Sequence, residues 1–177
     1  MTNSYDERFD STPTSSTPWD SSWPALAGEG DRDFLFSYLE DRFGISRTVF
    51  DAYWLFRKNK SWWLLHRSPH LGLCAGLKVS RVGIRAFQQI GAYVKPSTRM
   101  VQVFAPEATK GRFEIHESQL HRLVAGETVP FEAALENGYV ILSMRNHVLG
   151  LGLLINGKVR SQIPKSQTHS IREHMDL

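Results

Sequence analysis

The chain has one cysteine, Cys74. That excludes an internal disulfide framework and any zinc site built on two or more thiolates, and it fits a reducing cytoplasm. No apolar run reaches the roughly 18 residues that cross a bilayer. The N-terminus has no basic segment followed by an apolar one, so neither a membrane span nor a signal peptide is expected. Acids are scarce in two stretches. Residues 55–112 carry eleven Lys and Arg side chains against Glu107 alone, and residues 137–172 carry Arg145, Lys158, Arg160, Lys165 and Arg172 with no acid. The mild net charge of +3 hides this segregation, because residues 1–30 hold five acids against Arg8. A basic face of this kind attracts a polyanion.

What is present suits one domain with a small companion. Residues 1–30, rich in Ser, Thr, Pro and Asp, read as a disordered acidic leader. Trp19 and Trp23 are placed to dock back or to meet a partner. The spacing predicts a helix over Asp31–Phe43 ended by Gly44, then a short helix capped by Ser46 and running through Ala52. Tyr53–Arg57 and Trp62–Arg67 read as an aromatic hairpin. Trp62 and Trp63 alternate, so one faces the core and the other either packs too or stacks on a base. Leu71–Leu77 is apolar but broken by glycine, and its state stays open. Leu77–Phe87 alternates as a strand or extended segment. Met100–Phe104 and Phe113–Ile115 read as short strands and Glu117–Val124 as a helix. Tyr139–Met144, Val148–Leu154 and Lys158–Ile163 read as a three-strand meander. The fold class expected is α+β, a small mixed or antiparallel barrel-like sheet with an N-terminal helix-helix-hairpin companion.

The segment RNHVLGLGLLINGKVRSQIPK, residues 145–165, places two glycines inside a strand, where they weaken it. A plain two-residue Asn156-Gly157 turn puts Arg160 on the same side as the leucines. A bulged turn instead gathers Leu149, Leu151, Leu153, Val159 and Ile163 on a core face. Gly150, Gly152, Lys158, Arg160 and Gln162 then share a solvent face. The bulged register is the one expected here. It leaves bare backbone beside Arg160 for a phosphate–sugar chain, or the glycines serve curvature and close packing.

Several motifs follow in order: Gly83-Ile84 in RVGIR, KPS at Lys95–Ser97, LVAGETV at Leu123–Val129, GYVIL at Gly138–Leu142, LGLG at Leu149–Gly152, and GKVRSQIPK at Gly157–Lys165. Together they resemble the PUA-like RNA-binding domain at the C-terminus of Sun-family (RsmF-type) rRNA 5-methylcytosine methyltransferases. YLEDRFGI at Tyr38–Ile45 resembles the segment preceding that domain. The resemblance implies a PUA fold and binding of structured RNA, ribosomal or transfer. It implies RNA contact at Arg160, Pro164 and Lys165, and Ser166-Gln167 departs from the family's continuation. The family's cofactor loop and catalytic cysteine setting are not found, and Cys74, in GLCAG, reads as a small buried hydrophobe.

The division expected is a leader at 1–30, an α/β region at 31–94, a PUA-like domain at 95–166 and a tail at 167–177. RNA-binding candidates are Arg81, Arg85, Lys95, Arg99, Gly150, Gly152, Lys158, Arg160, Pro164 and Lys165. No catalytic residue, metal or cofactor is expected. His66 and His70 are separated by Ser68-Pro69, and His116 and His121 do not share a helical face. The expectation is a non-enzymatic cytoplasmic RNA-binding protein of ribosome biogenesis, rRNA processing or RNA modification. It would work beside a separate modifying enzyme or ribosomal assembly factor. The alternative is a protein-interaction module acting through the acidic leader.

Overall fold

The computed structural model describes residues 23–168, except Ala75 and Ala133. The remainder of the leader, with Trp19, and the tail from 169, with Arg172, lie outside the described residues. The described chain divides into two compact units, residues 23–41 with 46–100 and residues 42–45 with 101–168. Each has its own five-stranded sheet, and the fold is α+β as expected.

In the first unit, strand β1 (Ala25–Leu26) and helix α1 (Glu29–Phe43) lie within or overlap the expected leader. Trp23 sits 6.0 Å from Phe56, ring centre to ring centre. Helix α1 buries Leu35, Phe36, Leu39 and Phe43, an i, i+1, i+4, i+8 stripe, and leaves Phe34 38% exposed. Ser46 caps a 3-10 turn over Arg47–Ala52 through the N–H of Thr48. The aromatic hairpin forms as β2 (Tyr53–Lys58) and β3 (Ser61–His66). Strands β4 (Ile84–Ile90) and β5 (Tyr93–Pro96) complete an antiparallel sheet in the order β1-β2-β3-β4-β5.

Leu77–Gly83 does not join the sheet. Gly83 takes φ +57° against the backbone of Leu64, so pairing begins only at Ile84. The apolar segment before it forms a 3-10 turn, Pro69–Cys74.

The pairing register sorts this sheet into two faces. Arg57, Trp62, Phe87 and Pro96 lie in line across one of them. There the indole Nε1–H of fully buried Trp62 donates to Asp31 of α1 (3.0 Å), and Arg57 pairs with the same carboxylate at 3.6 Å. The other face, turned away from α1, carries Lys58, Ser61, Gln88 and Lys95 in line, with Phe56, Trp63 and Arg85 in the neighbouring row.

Met100–Phe104 is helical rather than extended, within α2 (Thr98–Phe104). Ser97 Oγ accepts the Met100 N–H (3.0 Å), an N-terminal cap. Met100, Val101 and Phe104 are buried at i, i+1, i+4, the spacing of a helix face.

The second unit contains β6 (Arg112–Glu114), α3 (Glu117–Val124), β7 (Thr128–Pro130), β8 (Gly138–Met144), β9 (His147–Ile155) and β10 (Lys158–Ser161). The strand order is β6-β8-β9-β10-β7, with β6 parallel to β8 and every other pair antiparallel. Leu120 and Leu123 of α3 pack with Val129, Val140, Leu142, Leu154, Val159, Ile115 and Ile163 in one core. At roughly 1.5–3 kcal/mol per buried aliphatic side chain, this core outweighs any single polar contact in the unit. Gln119 accepts the His116 N–H (2.9 Å) at the start of α3. That gives His116 a structural place at a helix end.

Candidate nucleic-acid interface

The β9–β10 hairpin differs from the expected register. Asn156 and Gly157 both have positive φ, +49° and +73°, the signature of a two-residue type I′ turn. Lys158 therefore pairs with Ile155, Val159 with Leu154, Arg160 with Leu153 and Ser161 with Gly152. The one-residue difference exchanges the faces. Gly150 and Gly152 point into the core with Val140, Leu142, Leu154 and Val159, and both are buried. A Cβ on Gly152 would fall 2.6 Å from Val159 Cγ1, 3.1 Å from Leu142 Cδ2 and 3.2 Å from Val140 Cγ2. Gly152 serves close packing, and neither glycine offers bare backbone to an RNA in solvent, contrary to the expectation.

The expectation went astray because it allowed the meander one buried face. Ile141 and Leu151, paired on the opposite face, are 1% and 0% exposed, so the centre of this sheet is covered on both sides. A strand buried on both faces reads as a continuous apolar run, and alternation no longer reports which side is inside.

Arg160 escapes the desolvation cost that argued against this register. It stands past the covered centre, beside half-buried Leu153, with its guanidinium in solvent. Lys158, two residues before it on the same face, is exposed as well. Thr128 and Pro130 of β7, both exposed, pair with Arg160 and Lys158 and extend the row. Neither cation has a side-chain hydrogen bond or ion pair among the described residues. Glu127, at the start of β7, is already paired with Arg122 at 2.9 Å.

Beyond β10, Ile163 drops into the core and its N–H is held by Ser161 Oγ at 3.2 Å. The Pro164 carbonyl then accepts the N–H groups of Gln167 and Thr168, both at 3.0 Å, opening a helical turn over 165–168. Lys165 is exposed at the first position of that turn. Five residues of chain hold Arg160 and Lys165 within at most about 18 Å of one another.

A second support of this edge was not foreseen. Arg42 Nε donates to the Tyr139 carbonyl (2.6 Å) and Arg42 NH1 to that of Glu136 (2.9 Å), tying the start of β8 to the 42–45 segment of the same unit. Asn137 reaches the turn itself, its Oδ1 accepting the Asn156 N–H at 2.8 Å. Burial raises the Tyr139 phenol above its ordinary value. Nothing in the sequence singled out Arg42, because its partners are backbone carbonyls about ninety-five positions away.

The other four basic candidates belong to the first unit. Arg81, Arg85 and Arg99 are exposed, whereas Lys95 is half-buried and burial lowers its ammonium below the usual value. Arg85 and Lys95 share the sheet face turned away from α1. Arg81 lies on the segment before β4, whose Ser80 carbonyl accepts from Lys58 Nζ (3.2 Å). Arg99 lies in the first turn of α2. The ten sequence candidates thus fall into two sets, four in the first unit and six in the second, of which the two glycines are internal.

Residues 110–167 match a family model described as the methyltransferase RsmF PUA domain. A ribosomal RNA small subunit methyltransferase F of Psychromonas ingrahamii is 24% identical over 136 residues, covering 74% of this chain and 27% of that protein. The protein of the same name from Aeromonas salmonicida is 26% identical over 113 residues, covering 63% of this chain and 23% of its own. The crystal structure of a hypothetical protein from Pyrococcus horikoshii OT3 aligns with a TM-score of 0.47 at 12% identity, covering 81% of this chain and 85% of that one. The chain spans about a quarter of the length of the curated relatives it matches. The resemblance drawn from the motifs is borne out: residues 110–167 match the PUA domain of RsmF-type methyltransferases, over the segment that carries Lys158, Arg160, Pro164 and Lys165.

Proposed function

We propose that this protein binds structured RNA, ribosomal or transfer, without itself catalysing a reaction, and that it serves ribosome biogenesis or RNA modification in the cytoplasm beside a separate modifying enzyme or assembly factor. The observation that carries the reading is the pair Lys158 and Arg160. They are exposed, on one strand face, unengaged among the described residues, and within the segment similar to a PUA domain. A cation that spends no charge on an internal partner is available to displace counterions from a phosphate backbone. Lys165 and Pro164 extend the contact beyond the strand. Arg81, Arg85, Lys95 and Arg99 supply further cations from an acid-poor stretch of the chain. Selectivity would rest on RNA shape and phosphate positions rather than on base edges.

The test is affinity for rRNA fragments across salt. Log K should fall linearly with log salt concentration. The double variant Arg160→Ala, Lys165→Ala should make that slope shallower by about 2, at roughly 0.9 per phosphate contact. An unchanged slope and affinity in the double variant would remove the site assignment.

A further inference from the structure

The first unit holds a surface that the RNA-binding reading does not yet explain. Tyr93 is 77% exposed, and it pairs in β5 with Ile90, itself 49% exposed, on β4. The Tyr93 side chain makes no hydrogen bond or ring contact among the described residues. Its ring face and hydroxyl are therefore open to a partner from solution.

The register shows its neighbours. Tyr93 and Ile90 lie on the same sheet face as Gln88 and Lys95, and this is the face turned away from α1. The row Lys58, Ser61, Gln88, Lys95 crosses four strands beside them. At about 4.8 Å per strand, that row spans roughly 14 Å. Lys60 adds a third lysine at the β2–β3 turn, where its carbonyl accepts the Gln89 N–H at 2.8 Å. No acid occurs between Asp51 and Glu107, so none of the strands β2–β5 contributes a negative charge. Asp31 of α1 sits with the opposite face, committed to Trp62 and Arg57.

We propose that this face is a subsite for single-stranded RNA, in which Tyr93 stacks on an unpaired base while Lys58, Lys60 and Lys95 hold the flanking phosphates. A flat aromatic on an open strand, flanked by cations, suits a base whose π-face is free, and a base inside a duplex has none to offer. Gln88, exposed between the lysines, adds a donor and an acceptor toward the base edge. This inference rests on the RNA-binding reading above, and it names the form of RNA that the first unit takes.

The test compares two probes on the full chain: a fluorescein-labelled decamer without self-complementarity, and the same decamer annealed to its complement. Tyr93→Ala should weaken single-strand binding about tenfold and leave duplex binding within twofold. Tyr93→Phe, which keeps the ring, should bind both as the parent does. Because Tyr93 is largely exposed, both variants should keep the parent's thermal midpoint. Parent binding of the single strand that is unaffected by Tyr93→Ala overturns the subsite, and so does an equal loss on both probes. A parent that binds only the duplex also overturns it, while leaving the RNA-binding reading intact. A parent that binds neither probe overturns both.

Discussion

Replacing Gly152 by alanine separates the two registers of the β9–β10 hairpin by the sign of its effect. Had the glycine faced solvent, an added methyl would meet nothing, and the unfolded chain would lose freedom. The change would then stabilise the fold by about 0.4–1 kcal/mol. In the inward register the methyl lies 2.6 Å from Val159 Cγ1, inside normal contact, and close to Leu142 and Val140 as well. Val159 is wholly buried and β-branched, with little rotamer freedom to yield. Overpacking of this sort costs about 1–3 kcal/mol. For cooperative unfolding of a chain of 177 residues, that lowers Tm by at least about 2 °C. Thermal unfolding followed by circular dichroism reads the result. A double-mutant cycle with Val159→Ala adds a check, because removing Cγ1 should return about 1 kcal/mol or more of the Gly152→Ala cost. A rise in Tm for Gly152→Ala, or no coupling to Val159, would refute the inward register and restore the glycines to the surface.

Other variants probe the scaffold that presents the basic residues. Arg42→Ala removes two charge-assisted hydrogen bonds to the Tyr139 and Glu136 carbonyls and should cost about 2–3 kcal/mol in urea unfolding. Arg42→Lys should recover less than half of that, since one ammonium does not reproduce the guanidinium fork. Asp31→Ala removes the acceptor of the buried Trp62 indole N–H and the carboxylate that pairs with Arg57, so a loss of about 2–3 kcal/mol is expected. Asp31→Asn keeps an acceptor for the indole and should be milder, with tryptophan fluorescence reporting both. Gly157→Ala forces a side chain into φ +73° and should cost about 1–2 kcal/mol by thermal unfolding.

The sequence made the locally determined elements plain. Helix α3 was readable to its ends, because Leu120, Leu123 and Val124 mark one side and Gly126 follows it. The aromatic hairpin and the meander were visible from apolar runs broken by turn residues. Less was legible where a strand depends on a distant partner. Strand β7 is three residues ending in proline, and it is a strand only because β10 pairs with it. Strand β5, four residues between Gly91-Ala92 and Ser97, offers no period to read, and so the company of Tyr93 and Lys95 stayed hidden. In helix α2 the β-branched Val101 and Val103 favour a strand locally, and the capping by Ser97 and the buried trio Met100, Val101 and Phe104 that make it helical emerge only in three dimensions. Lys158 and Arg160 were legible as neighbours in either register, since residues two apart share a strand face. The glycines were not, because their side of the sheet turned on a single residue of slippage.

The most direct test of a basic hairpin edge that grips RNA is amide chemical-shift mapping of the isotopically labelled chain as an rRNA fragment is added at low salt. Shifts should concentrate at Lys158–Arg160, at Thr128 and Val129 beside them, and at Lys165, and should reverse as salt is raised. A titration in which RNA binds but these amides stay still would contradict the account.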